Sequence, residues 1–484
     1  MEIVNMISKI LWDYILIFGL MGIGIYMTIK LRFPQFSRLI PSLKKMFLGL
    51  GKSQKTDDGK MTPFQALSTA VAAQVGTGNI VGVATAIAAG GPGAAFWMLL
   101  AAFFGMATIF SEAVLAQKYR EEKEGELVGG PAYYIKNGLK SNIIAKFFAI
   151  IAAIGLGIVG VMVQSNSIAG AVNSAFGVPI IIITIVLAFL VLKILIGGMG
   201  SIAKFSEKVV PIMALMYIFG SIIIILFNIS NLIPTIKSIF IGAFTPQAIG
   251  GGALGITIQH TIRFGLARGL FSNEAGLGST PHSHAVAETN HPAEQGFVAM
   301  IGVFISTFVI CLSTVMVNIT TGAYDPTINA SIMTESATIM TQNSFSSVFG
   351  NVGAMFLAVC LSFFSLTTII GWYFFAEANI KFLFNSNKLT LTIFKIFSVL
   401  ALSIGTFVNP TMIWQLVDLF TGMMALPNII ALFILSKEVK EILIDYDRCK
   451  EKGYIHWEYA HQNLSKKDVK RNKIKSGLST TIIK

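Results

Sequence analysis

Eleven apolar runs dominate this chain, each long enough to supply the roughly 20 residues with which a helix crosses ~30 Å of hydrocarbon. They lie at about 11–30, 64–90, 94–117, 144–172, 178–197, 206–228, 252–281, 296–321, 347–377, 390–407 and 412–436, and are numbered spans 1 to 11. A further stretch, 232–244, is short and contains Pro234, so it reads as interfacial. No segment alternates in the way a barrel strand must. Charged residues make up 12% of the 484 and hydrophobic ones 54%, where a soluble domain carries about 25% charged residues. That balance excludes a soluble enzyme, a disordered chain and a fibrous repeat. The sequence predicts an all-α integral membrane protein, with a membrane domain over 1–436 and a charged cytoplasmic tail over 437–484.

The formal charge of +12 would suggest nucleic acid in a soluble protein, so its distribution decides the reading. Twelve of the 36 basic residues follow from Lys437 onward, and most others fall between apolar runs. The 31–63 region carries Arg32, Arg38, Lys44, Lys45, Lys52, Lys55 and Lys60, whereas the connections at 90–93, 173–177, 322–346 and 408–411 have no Lys or Arg. Positive-inside bias then puts the N-terminus outside and the C-terminus in the cytoplasm. Span 1 is too long for a signal-peptide core and follows no basic region, so it reads as a retained span. Cys311, Cys360 and Cys449 are far apart, without metal or disulfide spacing.

Two spans depart from the uniform Ile/Leu/Val/Phe/Ala pattern. Span 2 contains Gln74-Val-Gly-Thr-Gly-Asn79 at mid-depth, and span 7 runs from Gly255 through His260, Arg263 and Arg268 to Glu274-Ala-Gly-Leu-Gly-Ser-Thr-Pro281. Glycine weakens a helix interior by about 1 kcal/mol relative to alanine, and uncovered backbone in lipid costs several kcal/mol. Such breaks are tolerable only where the backbone faces protein or a wet cavity. The two interrupted spans are five apart, an odd offset, so they cross the membrane in opposite directions. Spans 2–6 (64–228) and 7–11 (247–436) therefore read as an inverted repeat, with span 1 peripheral. An interrupted helix leading each half points to a midplane substrate site in a secondary transporter. Broken half-helices present N–H groups to a carboxylate and carbonyls to an ammonium or Na⁺, which suits an amino acid zwitterion.

Several motifs carry a resemblance. Gly76-Thr-Gly-Asn-Ile-Val-Gly-Val-Ala84, Gly90-Gly-Pro-Gly-Ala-Ala-Phe-Trp-Met98, Gln164-Ser-Asn-Ser-Ile168, Arg268-Gly-Leu-Phe-Ser-Asn-Glu-Ala-Gly-Leu-Gly-Ser279 and Gly371-Trp-Tyr373…Glu377 occur in that order. Together they resemble the alanine/glycine:cation symporter family, from span 1 to span 11. Leu99 and Val161 stand where that family commonly has Trp and Asn. The resemblance implies sodium-coupled symport of a small neutral amino acid, alanine or glycine, across the plasma membrane of a prokaryote. It also implies the two inverted five-helix repeats of the wider amino acid/sodium symporter fold.

The candidate site follows from both lines. Thr77, Gly78 and Asn79 are the expected carboxylate cradle, because glycine allows close approach of backbone N–H groups. Gln164 and Asn166 lie two apart on span 4 and cannot share a face; Gln164 is the candidate for substrate. Phe264, Phe271, Phe363 and Trp372 are aromatics that could cap a small side chain, and Phe271 and Trp372 are the candidates for substrate contact. By the resemblance, Na⁺ binds the carbonyls of Ala72 and Val75 and the hydroxyls of Thr367 and Thr368, preceded by Ser365. Glu112, Arg263, Arg268, Glu274 and Glu377 are expensive at bilayer depth and should be paired or face a cavity.

No other metal or cofactor is expected: His260, His282, His284 and His291 lack ligand spacing. A membrane-embedded enzyme using His282 and His284, and proton coupling through a carboxylate such as Glu274, are the competing readings. No GxxxxGK[ST] loop appears, which argues against a primary pump. The residues do not choose among alanine, glycine, serine and glutamine.

Overall fold

The computed structural model describes residues 2–49, 60–123, 125–245, 258–325, 337–451 and 457. All eleven apolar runs fall on helices. Eight are continuous crossings: Met6–Lys30, Ala94–Lys118, Asn142–Phe176, Gly198–Phe227, Pro292–Thr320, Asn351–Phe384, Lys388–Gly405 and Pro410–Ile434. A ninth is span 2, made of Pro63–Gln74 and Gly78–Gly90 with a 53° bend between them. Span 5 is the shorter apolar helix Ile180–Ile196, and span 7 is Ile258–Asn273. The run expected to extend span 7 to 281 instead leaves the helix at Asn273, because Glu274 adopts φ +57° and Gly276 and Gly278 follow at +84° and +81°. Residues 252–257 of that run, and 247–257 of the second repeat, lie outside the described residues.

Span 2 starts at a capping box. The Thr62 hydroxyl accepts from Gln65 N, the Gln65 side chain accepts from Thr62 N, and Pro63 opens the helix. It ends where Val75 leaves helical geometry (φ −106°, ψ 86°), turning its carbonyl out of the helix ladder. The chain resumes as a π-helical turn, Gly78–Gly82. Further π-helical segments occur in span 4 (Gly155–Gly160), packed on spans 9 and 11, and in span 8 (Phe304–Cys311), packed on the break itself. Such turns redirect side chains and recur at functional sites.

Three of the charged residues at depth form ion pairs. Arg263 pairs with Asp13, Arg268 with Asp418 at 3.1 Å, and Glu377 with Lys381 at 3.1 Å. Outside the spans, a hairpin of β1 (Glu121–Lys123) and β2 (Glu126–Val128) offers Glu126 to Lys381 at 2.6 Å. The 232–244 stretch is a helix, Leu232–Phe244, whose Ala243 carbonyl accepts from the Trp97 indole at 3.0 Å.

The start of the charged tail is a helix docked on the membrane domain. Ser436–Glu451 buries Val439, Ile442, Leu443, Tyr446 and Cys449 and pairs Glu438 with Lys118 (2.6 Å) and Asp447 with Arg38 (2.6 Å). Span 1 meets the other end of the chain as well, through Trp12 Nε1 to Asp418 O (2.9 Å) and Lys30 Nζ to Ser436 Oγ (2.7 Å).

Candidate functional site

The break in span 2 is lined by side chains from spans 4, 8 and 9. Thr77 donates from both N (3.1 Å) and Oγ1 (2.7 Å) to Gln164 Oε1, and its hydroxyl lies 2.8 Å from Ser365 Oγ. All three residues are buried. The Gln164 amide nitrogen has no hydrogen-bond partner among the described residues, so this side chain retains a donor. Asn166, two residues on, points elsewhere and donates to the Gly405 and Val408 carbonyls.

Thr368 Oγ1 donates to the Ala72 carbonyl (3.0 Å) and lies 3.3 Å from that of Ala73, which ties span 9 to the last turn before the break. Gly76 is required there, since a Cβ on it would overlap the Thr368 hydroxyl and come 3.1 Å from Gln164 Oε1. Thr367 does not join this group. Its hydroxyl donates to Phe364 O (2.8 Å) and lies against the Met213 sulfur, because neighbouring helical residues diverge by about 100°.

Gly78 faces the Phe271 ring, 3.1 Å from where its Cβ would stand, and Phe271 meets Trp372 edge-on at 6.2 Å. Asn79 is spent on structure. Its Oδ1 accepts from Gly76 N (3.0 Å), and its Nδ2 donates to Ser306 Oγ (2.9 Å) and O (3.2 Å). The side chain expected in the carboxylate cradle thus holds the break in shape. The Ser306 O–H also lies between two carbonyl acceptors, Gln74 O (3.2 Å) and Ser272 O (3.0 Å), so one hydroxyl of span 8 bridges the two interrupted spans. Residue patterns missed Ser306, since a single serine in an apolar run carries little signal.

Beyond Asn273 the loop is held by Glu112 of span 3. Its carboxylate accepts from Gly276 N (3.0 Å), Gly278 N (3.0 Å) and Asn428 Nδ2 (2.6 Å). A pocket of about 330 Å³ lies among Lys9, Trp12, Phe264, Arg268 and Asp418. Arg268 stacks on Trp414 at 5.3 Å, and Trp414 packs on Phe271 at 5.4 Å, so these rings stand between that pocket and the break.

The sequence model of the sodium:alanine symporter family matches residues 1–460. The chain belongs to the sodium:alanine symporter family. A curated relative, the sodium/alanine symporter AgcS of Methanococcus maripaludis, is 39% identical over 444 residues, 90% of this chain and 94% of that one. The probable sodium/glutamine symporter GlnT of Bacillus subtilis is 38% identical over 452 residues, 93% of this chain and 92% of that one. Among solved structures, a mutant Eremococcus coleocola manganese transporter superposes with a TM-score of 0.51 at 11% identity, covering 88% of this chain and 94% of that one. That likeness shows the fold alone.

Membership makes this chain a sodium-coupled amino acid symporter and not an enzyme. Its fold is the all-α membrane transporter fold with inverted repeats. Within that fold, the symporter's two interrupted spans meet at one polar cluster of Thr77, Gln164, Ser306, Ser365 and Thr368.

Proposed function

We propose that this symporter couples inward Na⁺ movement to uptake of a small neutral amino acid, alanine or glycine, across a prokaryotic plasma membrane. The observation that carries the reading is the Thr368 hydroxyl on the Ala72 and Ala73 carbonyls, at a break kept open by Gly76. Hard oxygens from a hydroxyl and from main-chain carbonyls are what an alkali cation prefers. Thr368, Ala72 and Val75 form the sodium group of this reading. Thr367 belongs outside it, since its hydroxyl lies against Met213.

The carboxylate binds at the Thr77–Gly78 backbone and the free donor of Gln164. Asn79 contributes by holding Gly76 rather than by contact. Phe271 and Trp372 close the end that receives the side chain, and a site so enclosed favours one methyl group or none. The repeats comprise 64–228 and 247–436, with the N-terminus outside and the C-terminus in the cytoplasm. A reporter fused after Lys484 and found outside the cell would reject that orientation.

The decisive experiment is radiolabelled uptake into proteoliposomes under a Na⁺, K⁺ or proton gradient, followed by competition among amino acids. Uptake driven by Na⁺ and displaced best by alanine or glycine is the expected result. Uptake driven by protons alone, or displaced best by glutamine, would overturn the coupling ion or the substrate respectively. Gly78→Val should abolish alanine binding in a folded protein, since its added branches press on the Phe271 ring.

A further inference from the structure

Glu274 is an anomaly on three counts. It sits at φ +57°, a conformation unfavourable for any residue with a Cβ and normally left to glycine or asparagine after a helix. Its carboxylate is buried within the bilayer region with no cation among the described residues, a costly state unless something is gained. And both its oxygens are engaged: Oε1 accepts from the Trp372 indole N–H at 2.6 Å, and Oε2 from the Ser279 hydroxyl.

The indole that Glu274 holds is itself closely fitted. It lies over Gly160 of the π-helical turn in span 4, where any Cβ would overlap the ring. Its edge meets Phe271, which in turn rests on Gly78. Four spans therefore converge on two rings, and only one of those rings has a polar atom to anchor. Glu274 supplies the anchor from the first residue after the span 7 helix.

We propose that Glu274 is a positioning residue that sets the upper size limit of the transported amino acid, by fixing the Trp372 indole across the end of the site that receives the side chain. The inference rests on the reading of Phe271 and Trp372 given above. A fixed ring rejects an added methylene by steric contact, whereas an untethered one can turn aside.

The test compares KM for alanine, 2-aminobutyrate and valine in Na⁺-driven uptake by the wild type, Glu274→Ala, Glu274→Gln, Trp372→Phe and the double variant Glu274→Ala with Trp372→Phe. Glu274→Ala should reduce the preference for alanine over 2-aminobutyrate roughly tenfold, the usual discrimination available from one methylene. Glu274→Gln keeps an oxygen for the indole N–H and should restore most of that preference. The double variant should shift the ratio no further than the larger single change, because both act through one contact. Multiplied effects in the double variant, or an unchanged ratio in Glu274→Ala, would overturn the proposal. If Glu274→Ala does not fold, Trp372→Phe with wild-type selectivity overturns it alone. Absence of Na⁺-driven alanine uptake in the wild type would break the underlying reading, a result distinct from an unchanged ratio.

Discussion

Span 2 breaks over three residues, Val75 to Thr77, and resumes as a helix; span 7 stops at Asn273 and the next helix begins only at Pro281. The partners that satisfy the exposed backbone differ in kind. At the first break they are neutral: Gln164 takes the Thr77 N–H and Asn79 takes the Gly76 N–H. At the second, the carboxylate of Glu112 takes two N–H groups, and Asn428 donates to the Gly276 carbonyl at 2.9 Å. One carboxyl group gathers three donors at the second break and ties its loop to both span 3 and span 11, whereas the first break has only single neutral side chains for each N–H. The first break is thus held loosely by groups a ligand could replace, while the second is pinned. One break suits exchange of ligands, and the other suits a plug.

The largest effect should come from filling the first break. Gly76→Val should reduce Na⁺-driven uptake by roughly a hundredfold or more, since one displaced oxygen contact already costs about 1.5–3 kcal/mol when charge is involved and here two are disturbed. Uptake near the wild-type rate in a monodisperse Gly76→Val protein would mean that this break is not the site. Glu112→Ala tests the pinned break through stability instead. Three buried donors lose their acceptor, which should cost on the order of 3 kcal/mol and appear as a lower Tm in detergent. A Tm equal to that of the wild type would show that the loop does not depend on Glu112.

Thr368→Ala sharpens the contrast at smaller scale. It removes one oxygen from the sodium group and should raise the Na⁺ concentration for half-maximal uptake about tenfold, for ~1.4 kcal/mol of lost contact. At saturating Na⁺ its alanine KM should stay near that of the wild type. The smallest effect belongs to Thr367→Ala, within about twofold on the same Na⁺ curve, because a hydroxyl turned away from the site leaves only a modest packing change. Equal shifts for both threonines would contradict the geometry that separates them.

That separation also marks how far residue patterns reach. The break in span 2 was legible because Gly76 and Gly78 flank Thr77 amid polar neighbours, a grouping that lipid does not tolerate without cause. The spans were legible from run length. Thr367 and Thr368 were not separable, since only packing against Met213 or Ala72 fixes which of two adjacent hydroxyls turns inward. Glu112 was noted only as a charge needing a partner. Its partners lie more than 160 residues away, and two of them are backbone N–H groups that no side-chain pattern encodes. The helix after span 11 shows the opposite case: Val439, Ile442, Leu443 and Tyr446 fall at amphipathic spacing, yet the surrounding charge masked that stripe.

The docking of that last helix bears on how the protein is made. Trp12, Lys30 and Arg38 find their partners at Asp418, Ser436 and Asp447, residues the ribosome adds roughly 400 positions later. Early spans must therefore wait in the bilayer with these groups unmatched until residues 418 to 447 have been made. Lys30 and Arg38, near the end of span 1, can meet headgroups and water during that interval, but Trp12 must wait within the membrane. Closure of the bundle is then a post-insertion event, and truncation before residue 418 removes all three contacts, whereas one just before residue 447 removes only the Arg38–Asp447 pair.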